Sequence, residues 1–414
     1  MAPQGPCWEN KVVQPVDDAA RYARQFNQNI VRSVQATLRR MPQGDALLSE
    51  DQKTRALHVL DMSIKRADAW PTVRELFLIM APKMERAGHR ADWLGYLEKG
   101  AKQADAMADR AAQANLLLQI GFLHQLQNNY DSASIHYQTS AAIFRTIEDT
   151  GNYARALNQQ AFVAFLQRDL PEARRLADKV IALLPPGDAK CATSYSVRGW
   201  LAFDNGAWEV AEENFRAALA LWEQQEEGRQ IARRLRDLGN ALYPQHRFDE
   251  AIVVNERALA LFAELEDRFE GAVTQMNLAV IYLVMKQPLP ALHLLEAVEP
   301  IFVQVQDTHH LALLYHNWGI AHRDLHDFPA AEHRLTAAMQ AYKALRRAAS
   351  HVDALDDLGV TYMLAKRRAD AIKTFAQALA ELAHMQNDPS YQRTYNSVTS
   401  HLSEARQIPS AADE

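Results

Sequence analysis

The chain has 414 residues, of which 48% are hydrophobic and 23% charged, and its formal net charge is −6. This composition is typical of a folded cytosolic protein, and its dispersed basic residues disfavour binding of nucleic acid through a basic stripe. No apolar run approaches the ~18 residues of a membrane span and no signal-peptide layout is present, so we predict a cytoplasmic protein without a membrane segment.

Two helices are predicted before the repeats begin. Residues 1–15 are expected to be a disordered tail, and residues 16–70 an N-terminal helical bundle or cap. Its helices should cover residues 17–41 and 49–70. Ser49 and Gln52 have the spacing of a capping box, in which each side chain accepts from the other residue's backbone N–H. We interpret this segment as a cap on the repeats or a contact for a partner.

Residues 71–110 are predicted to form a degenerate repeat. Ala81 and Trp93 stand forty residues before the first small residues of the regular pattern, and Gly88 falls in the expected turn. Pro82 lies inside the expected first helix, where it lacks a backbone donor and should kink the helix. We therefore expect a distorted repeat here.

Seven blocks within residues 111–386 share one pattern of small and large residues. Each block contains an alanine, forty residues from the next at every step but one: Ala133, Ala173, Ala211, Ala251, Ala291, Ala331 and Ala371. A second small residue precedes each alanine by twelve positions: Gly121, Ala161, Gly199, Gly239, Ala279, Gly319 and Gly359. Four positions after the alanines stand Tyr137, Ala177, Phe215, Asn255, Leu295, Leu335 and Phe375. This pattern predicts paired helices that must stack on their neighbours to bury their apolar faces.

Residues 235–262 and 355–382 are examples of the pattern, with Leu-Gly on the first helix and spaced alanines on the second. They resemble the tetratricopeptide repeat, with departures at Ala177, Asn255 and Gln275. The resemblance implies an all-α fold, an α-solenoid of stacked antiparallel helix pairs. The period of about forty is similar to that of kinesin light chains and many bacterial regulators.

The turns and the C-terminal region fit this arrangement. Asp169 and Asp327 are expected to cap second helices, each with a proline in the first helical turn. Residues 387–408 should form a C-terminal capping helix with a polar outer face, and residues 409–414 a tail.

The sequence contains no recognisable catalytic or nucleotide-binding motif, so we predict a non-enzymatic protein without cofactor or metal. His322 and His326 are four residues apart and could act as metal ligands on one helix face. Their register instead assigns His322 to packing and His326 to a turn. With only Cys7 and Cys191 in the chain, a disulfide framework is not expected.

Candidate binding residues lie on the first helices, which line the concave face of a solenoid. Two positions before each small residue stand Gln119, Gln159, Val197, Asp237, Asn277, Asn317 and Asp357. In long-period relatives this position often carries an asparagine that clasps the backbone of an extended peptide. Asn277 and Asn317 match that pattern, and Val197 departs from it. The alternative is that these side chains bond neighbouring repeats to each other.

Charge along the same face changes sign. Arg155, Arg233 and Arg236 fall on inner positions of the second and fourth repeats, whereas Asp353, Asp356 and Asp357 fall on the seventh. We expect Arg233 and Arg236 to be exposed, and a ligand to place acidic groups against the middle and basic groups towards the C-terminal end. Trp200 completes the candidate site as an aromatic contact.

These features predict an interaction module that binds an extended peptide or a partner protein in the concave groove, as a bacterial regulatory, sensor or adaptor component. The alternative is a peptide-responsive regulator whose N-terminal helices act on a separate enzyme or response regulator. Its layout is similar to that of the peptide-responsive phosphatases of Gram-positive bacteria. A further alternative is the repeat arm of a larger switch or defence complex. Partner identity and oligomeric state stay open.

Overall fold

The computed structural model describes residues 15–42, 48–86, 90–386 and 391–407. The predicted tails, apart from residue 15, lie outside these ranges, as do Gly88 and Cys7. Within them the secondary structure consists of α-helices and two short 3-10 helices, at Ala189–Cys191 and Tyr243–Gln245, without a β-strand. The predicted all-α fold of stacked helix pairs is therefore confirmed.

The α-helices of the described residues are α1 (Pro15–Arg39), α2 (Glu50–Ser63), α3 (Trp70–Arg86), α4 (Arg90–Ala106), α5 (Arg110–Leu126), α6 (Tyr130–Thr146), α7 (Thr150–Leu166), α8 (Leu170–Leu183), α9 (Ala192–Asp204), α10 (Trp208–Gln224), α11 (Gly228–Leu242), α12 (Phe248–Glu264), α13 (Arg268–Val284), α14 (Pro288–Gln304), α15 (Thr308–Asp324), α16 (Phe328–Ala344), α17 (Ala348–Leu364), α18 (Arg368–Leu382) and α19 (Tyr391–Gln407). From α5 to α18 they form seven consecutive pairs, and each odd-numbered member is the first helix of its pair.

Helix length and turn geometry explain the forty-residue period. Helices such as α13 and α14 have 17 residues each, and three residues separate them, so each helix and its turn occupy half a period. The middle residue of most turns has a positive φ, for example Lys286 at 58°. The next residue often caps the following helix, as Asp307 does by accepting from the His310 backbone N–H at 3.0 Å. The predicted caps at Asp169 and Asp327, each followed by proline, are confirmed.

The described residues divide into two compact units, residues 1–197 and 198–414. In the first, helices α1 to α5 share one apolar core that includes Val34, Leu60, Phe77, Trp93 and Leu116. The ring centroids of Phe77 and Trp93 lie 5.6 Å apart. The N-terminal helices thus pack onto the helices that follow them.

The predicted capping box of α2 is confirmed by reciprocal hydrogen bonds between Ser49 and Gln52. The predicted end of this helix was wrong, because α2 stops at Ser63 and Trp70 begins α3. Trp70 donates from Nε1 to Asp109 at 2.9 Å, which ties the start of α3 to the N-cap of α5. Helix α3 runs through Pro82 to Arg86.

In the second unit the first helices α11, α13, α15 and α17 contact one another in order, and each also packs on its own second helix. The small-residue positions explain the close approach within pairs. A Cβ atom on Gly319 would lie 2.6 Å from Cγ of Leu335, and one on Gly359 would lie 2.4 Å from the Phe375 ring. After α18, helix α19 (Tyr391–Gln407) lies within the predicted C-terminal capping region and buries Val398 and Leu402.

Candidate functional site

We call the surface formed by the first helices within each unit the first-helix face of that unit. Three of the twelve candidate binding residues lie on the first helices of the first unit and nine on those of the second. Some of them bond to a neighbouring first helix, two bond to α19, one is buried, and the others have no polar partner among the described residues.

Arg233 and Arg236 of α11 both bind Glu270 of α13, at 2.5 and 2.6 Å. Arg236 and Glu270 keep only 14% of their side-chain surface exposed. Burial opposes ionisation of Glu270, but the charges and hydrogen bonds of Arg236 and Arg233 outweigh it and hold its pKa below the ordinary value. The expectation that Arg236 is an exposed charge was therefore wrong. We call this three-residue ion-pair group the Glu270 clasp.

Asp237 is not accessible to a ligand either. It is buried, with 2% of its surface exposed, and pairs with Arg234 of the same helix at 2.9 Å. Burial raises the pKa of Asp237 against the lowering effect of the nearby Arg234 charge. A polypeptide on the first-helix face cannot reach this carboxylate.

Asn277 of α13 donates from Nδ2 to Oδ1 of Asn240 on α11 at 3.0 Å. This contact is the alternative role considered for the amide positions, a hydrogen bond between neighbouring repeats. The side-chain oxygen of Asn277, Oδ1, has no partner among the described residues, so it stays available as an acceptor.

Asp357 of α17 connects its repeat with the preceding one. It accepts from His316 Nε2 at 2.9 Å and from Arg323 at 2.5 Å, both on α15. Burial alone would raise the pKa of Asp357, but the hydrogen bond and charge of His316 and the charge of Arg323 lower it. We call this group the Asp357 clasp.

Asp353 and Asp356 hold the closing helix α19. Asp356 accepts from Ser397 at 2.9 Å and lies 2.8 Å from Nδ1 of His401, and Asp353 accepts from Thr394 at 3.4 Å. Burial raises the pKa of both carboxyl groups. The acidic end predicted for the groove is therefore covered in part by α19.

Four candidates have no hydrogen-bond or ion-pair partner in the described part of the chain. Gln119 of α5 and Gln159 of α7 are half-buried and occupy equivalent repeat positions, and Arg155 is exposed one turn before Gln159. Asn317 of α15 is half-buried at the same repeat position in the second unit.

Trp200 is half-buried and packs edge-on against Phe203 and Phe215, with ring centroids 5.2 and 5.3 Å apart. Trp318 is 5% exposed, as expected for a core residue, and Arg334 stacks over its ring at 3.6 Å. Only Trp200 of this pair presents ring surface on the first-helix face.

The histidine pair follows its predicted register. His326 has a positive φ of 60° in the turn after α15 and packs against Phe328, while His322 faces Asp327 at 3.5 Å. Within the described ranges, no group of three or more His, Cys, Asp or Glu side chains is placed to hold a metal ion.

Comparison with known proteins identifies the repeats. Residues 112–185 and 190–264 match the family description "Tetratricopeptide repeat". The matched residues are tetratricopeptide repeats. A search of curated proteins gave no match.

The chain is also similar in fold to several solved structures. One is a Signal Transduction ATPase with Numerous Domains (STAND) protein with a tetratricopeptide repeat sensor from Pyrococcus horikoshii, with a TM-score of 0.63 and 12% identity. The match covers 89% of this chain but only 55% of that protein.

Two further solved structures also match. A Rap protein complexed with competence and sporulation factor has a TM-score of 0.52 and 13% identity, covering 95% of this chain and all of that one. Aspartyl phosphate phosphatase F from Bacillus subtilis has a TM-score of 0.52 and 15% identity, covering 82% and 96%. At these identities the likeness shows the fold alone.

The sequence interpretation missed the partners of the candidate residues in this repeat protein: Asn240, Glu270, His316, Arg323 and His401. A usable signal was present, since oppositely charged residues about one repeat apart, such as Arg233 and Glu270, recur on consecutive first helices. Among the described helices, none is both long and apolar enough to cross a membrane.

Proposed function

We propose that this protein is a non-enzymatic interaction module that binds an extended polypeptide on the first-helix face. The supporting observation is the pair of equivalent amides at Gln119 and Gln159, which have no partner in the described residues, with Arg155 exposed beside them. A side-chain amide has both a donor and an acceptor, so successive amides can satisfy a peptide backbone that leaves water. Arg155 adds a cation for an acidic ligand group.

The paired residues have a different role in this proposal. The Glu270 and Asp357 clasps join consecutive first helices, so they keep the repeats in register instead of contacting the ligand. The binding surface within the second unit includes Asn317, Trp200 and the side-chain oxygen of Asn277. The preference for an acidic ligand group therefore comes from Arg155 and not from the residues of the two clasps.

The fold of the Rap protein complexed with competence and sporulation factor supports a partner-binding role, because that protein holds its partner on a similar scaffold. For this chain we infer a protein or peptide partner in a bacterial regulatory or sensor system. The match to a repeat sensor within a larger STAND protein supports the related possibility of a repeat arm in a switch complex.

Copurification from the native host followed by mass spectrometry would identify the partner. Its binding should weaken at least tenfold in the double variant Gln119→Ala with Gln159→Ala and in Arg155→Glu. Gln138→Ala removes an exposed amide from the second helix α6 and serves as the matched control. Unchanged affinity in both test variants would exclude the first-helix face of the first unit.

A second candidate function rests on α1, which exposes Tyr22 and Phe26 one turn apart, at 68% and 49% of their surfaces. Two exposed aromatic residues on one helix face favour a protein contact. We propose as the alternative that the N-terminal helices act on a separate enzyme or response regulator. In that case Tyr22→Ala with Phe26→Ala should abolish the partner's response while peptide binding to the repeats persists.

A further inference from the structure

A cavity of about 490 Å³ opens between α12, α13 and α14. Leu259 and Phe262 of α12 and Ile301 of α14 give it apolar walls, and Gly271 and Gln275 line it from α13. Its volume falls in the range of about 300–1,000 Å³ that is typical of ligand pockets. None of the twelve candidate residues of the first-helix face lines it.

The repeat register explains why the cavity exists. Gly271 stands eight residues before the small residue of its repeat, where the other repeats carry Gln113, Tyr153, Cys191, Ile231, Leu311 and His351. Gln275 stands four residues before it, where the others carry Leu117, Leu157, Tyr195, Leu235, Tyr315 and Leu355. Only this repeat has glycine at the first position and a polar side chain at the second.

The equivalent cleft between α6, α7 and α8 provides an internal comparison. There Tyr153 and Leu157 occupy the two positions, and the remaining volume is about 190 Å³. The larger cavity therefore goes with the two missing apolar side chains and is not a general property of the repeat. A partner's side chain can take the place that tyrosine or leucine fills elsewhere.

The polar groups of the cavity indicate which side chain fits. Glu266, Asp267 and Arg268, where α12 and α13 meet, also line the cavity. The Gln275 amide lies deeper along α13 and has no hydrogen-bond partner among the described residues, so both its donor and its acceptor are available. Tyrosine and tryptophan combine a large apolar ring with one polar group that needs a partner when buried. Val305 lies one helical turn after Ile301, just past the end of α14, and is 51% exposed; this neighbouring apolar surface favours a protein as the source of the ring.

We propose that this cavity is a second binding site, which accepts a tyrosine or tryptophan side chain of a protein partner and pairs its O–H or N–H with the Gln275 amide. The site is independent of the first-helix face. It would anchor a partner at the α12–α13 turn while the first-helix face holds an extended segment.

Indole, the tryptophan ring alone, is the probe for this site. Titration into methyl-labelled protein should shift the Ile301 δ1 methyl resonance saturably, and 1-methylindole, which lacks the N–H, should bind several-fold more weakly. Gly271→Leu supplies the residue that the next repeat carries at Leu311. It should reduce indole affinity at least tenfold without lowering the thermal unfolding midpoint.

Two further variants separate the roles of space and hydrogen bonding. Gln275→Ala keeps the cavity and should remove the preference for indole over 1-methylindole, whereas Gln304→Leu adds an apolar group on exposed α14 surface outside the cavity and should change nothing. The proposal is wrong if Ile301 does not respond to indole, or if its response survives in folded Gly271→Leu. Equal affinity of both probes for the unmodified protein would remove Gln275 from the site.

Discussion

A Cβ atom placed on Gly199 would lie 2.4 Å from the Phe215 ring. Real side chains do not approach so closely, so the glycine is required by the size of its partner on the second helix. In the repeat of Ala279 the position equivalent to Gly199 carries the larger alanine, and the position equivalent to Phe215 carries the smaller Leu295. A leucine partner can leave room for alanine, as at Ala279, although the leucine opposite Gly319 is placed so that it does not.

This relationship predicts a compensating pair of substitutions. Gly199→Ala should lower the free energy of unfolding by about 1–3 kcal/mol through overpacking, although alanine is favoured over glycine in a helix by about 1 kcal/mol. Adding Phe215→Leu, which recreates the Ala279–Leu295 combination, should recover most of the loss. Urea unfolding of the two single variants and the double variant measures the coupling, and simple additivity would contradict a shared space.

Asn255 is predicted to destabilise the protein. It is fully buried, its Nδ2 donates to the Ala251 carbonyl at 2.7 Å, and its Oδ1 has no partner among the described residues. A buried acceptor without a partner costs about 1–3 kcal/mol. Asn255→Leu, which copies the equivalent Leu335 beside Gly319, should therefore raise the free energy of unfolding by a similar amount.

The reverse substitution Leu335→Asn is the matched control and should destabilise. Chemical unfolding of both variants decides the point. A loss of stability in Asn255→Leu would mean that the amide has a role the contacts do not reveal, and stabilisation with weaker partner binding would assign it to function.

The pairing within each repeat could be predicted from the sequence because it is local and recurs seven times. Gly199 and Phe215 are sixteen residues apart, and the same offset is visible in every block. The environment of the binding candidates could not be predicted in the same way. Whether Arg236 is free depends on Glu270, 34 residues further on, and the geometry between successive first helices decides that contact.

The end of a helix also could not be predicted from the local sequence alone. The apolar pattern of residues 49–70 continues past Ser63, although the chain turns there so that Trp70 can begin α3 and reach Asp109. Asp237 has the spacing of a groove residue but is buried with Arg234, because tertiary packing and not repeat register sets its environment.

The Glu270 clasp predicts that reversing its arginines damages the fold. Arg233→Glu with Arg236→Glu would place three carboxylates together, so the unfolding midpoint should fall, in contrast to the intact fold expected for exposed side chains. Glu270→Gln should cost about 1.5–3 kcal/mol at pH 7, since it removes the acceptor's charge and replaces one acceptor oxygen by an NH2 group that faces an arginine donor. Glu296→Gln, on exposed α14 surface, is the control.

The pH dependence of this cost has a definite sign. The pKa of Glu270 is lower in the folded than in the unfolded protein, so the clasp stabilises fully above the unfolded pKa, about 4.3. The stabilisation is lost as the pH falls through the folded pKa. The stability difference between the unmodified protein and Glu270→Gln should therefore shrink below about pH 4. A difference that stays constant from pH 7 to pH 3 would show that the carboxylate charge contributes nothing.

Docking of α19 should depend on Asp356, which contacts both Ser397 and His401 of that helix. Asp356→Ala removes both contacts and leaves the apolar contacts of Val398 and Leu402, so we expect local opening of α19 without global unfolding. Amide hydrogen exchange should accelerate several-fold in residues 391–407 and stay unchanged in α11 to α14. Ser400→Ala, on the exposed side of the same helix, should leave exchange unaffected. If α19 is as well protected in Asp356→Ala as in the unmodified protein, the apolar contacts of Val398 and Leu402 alone hold this helix.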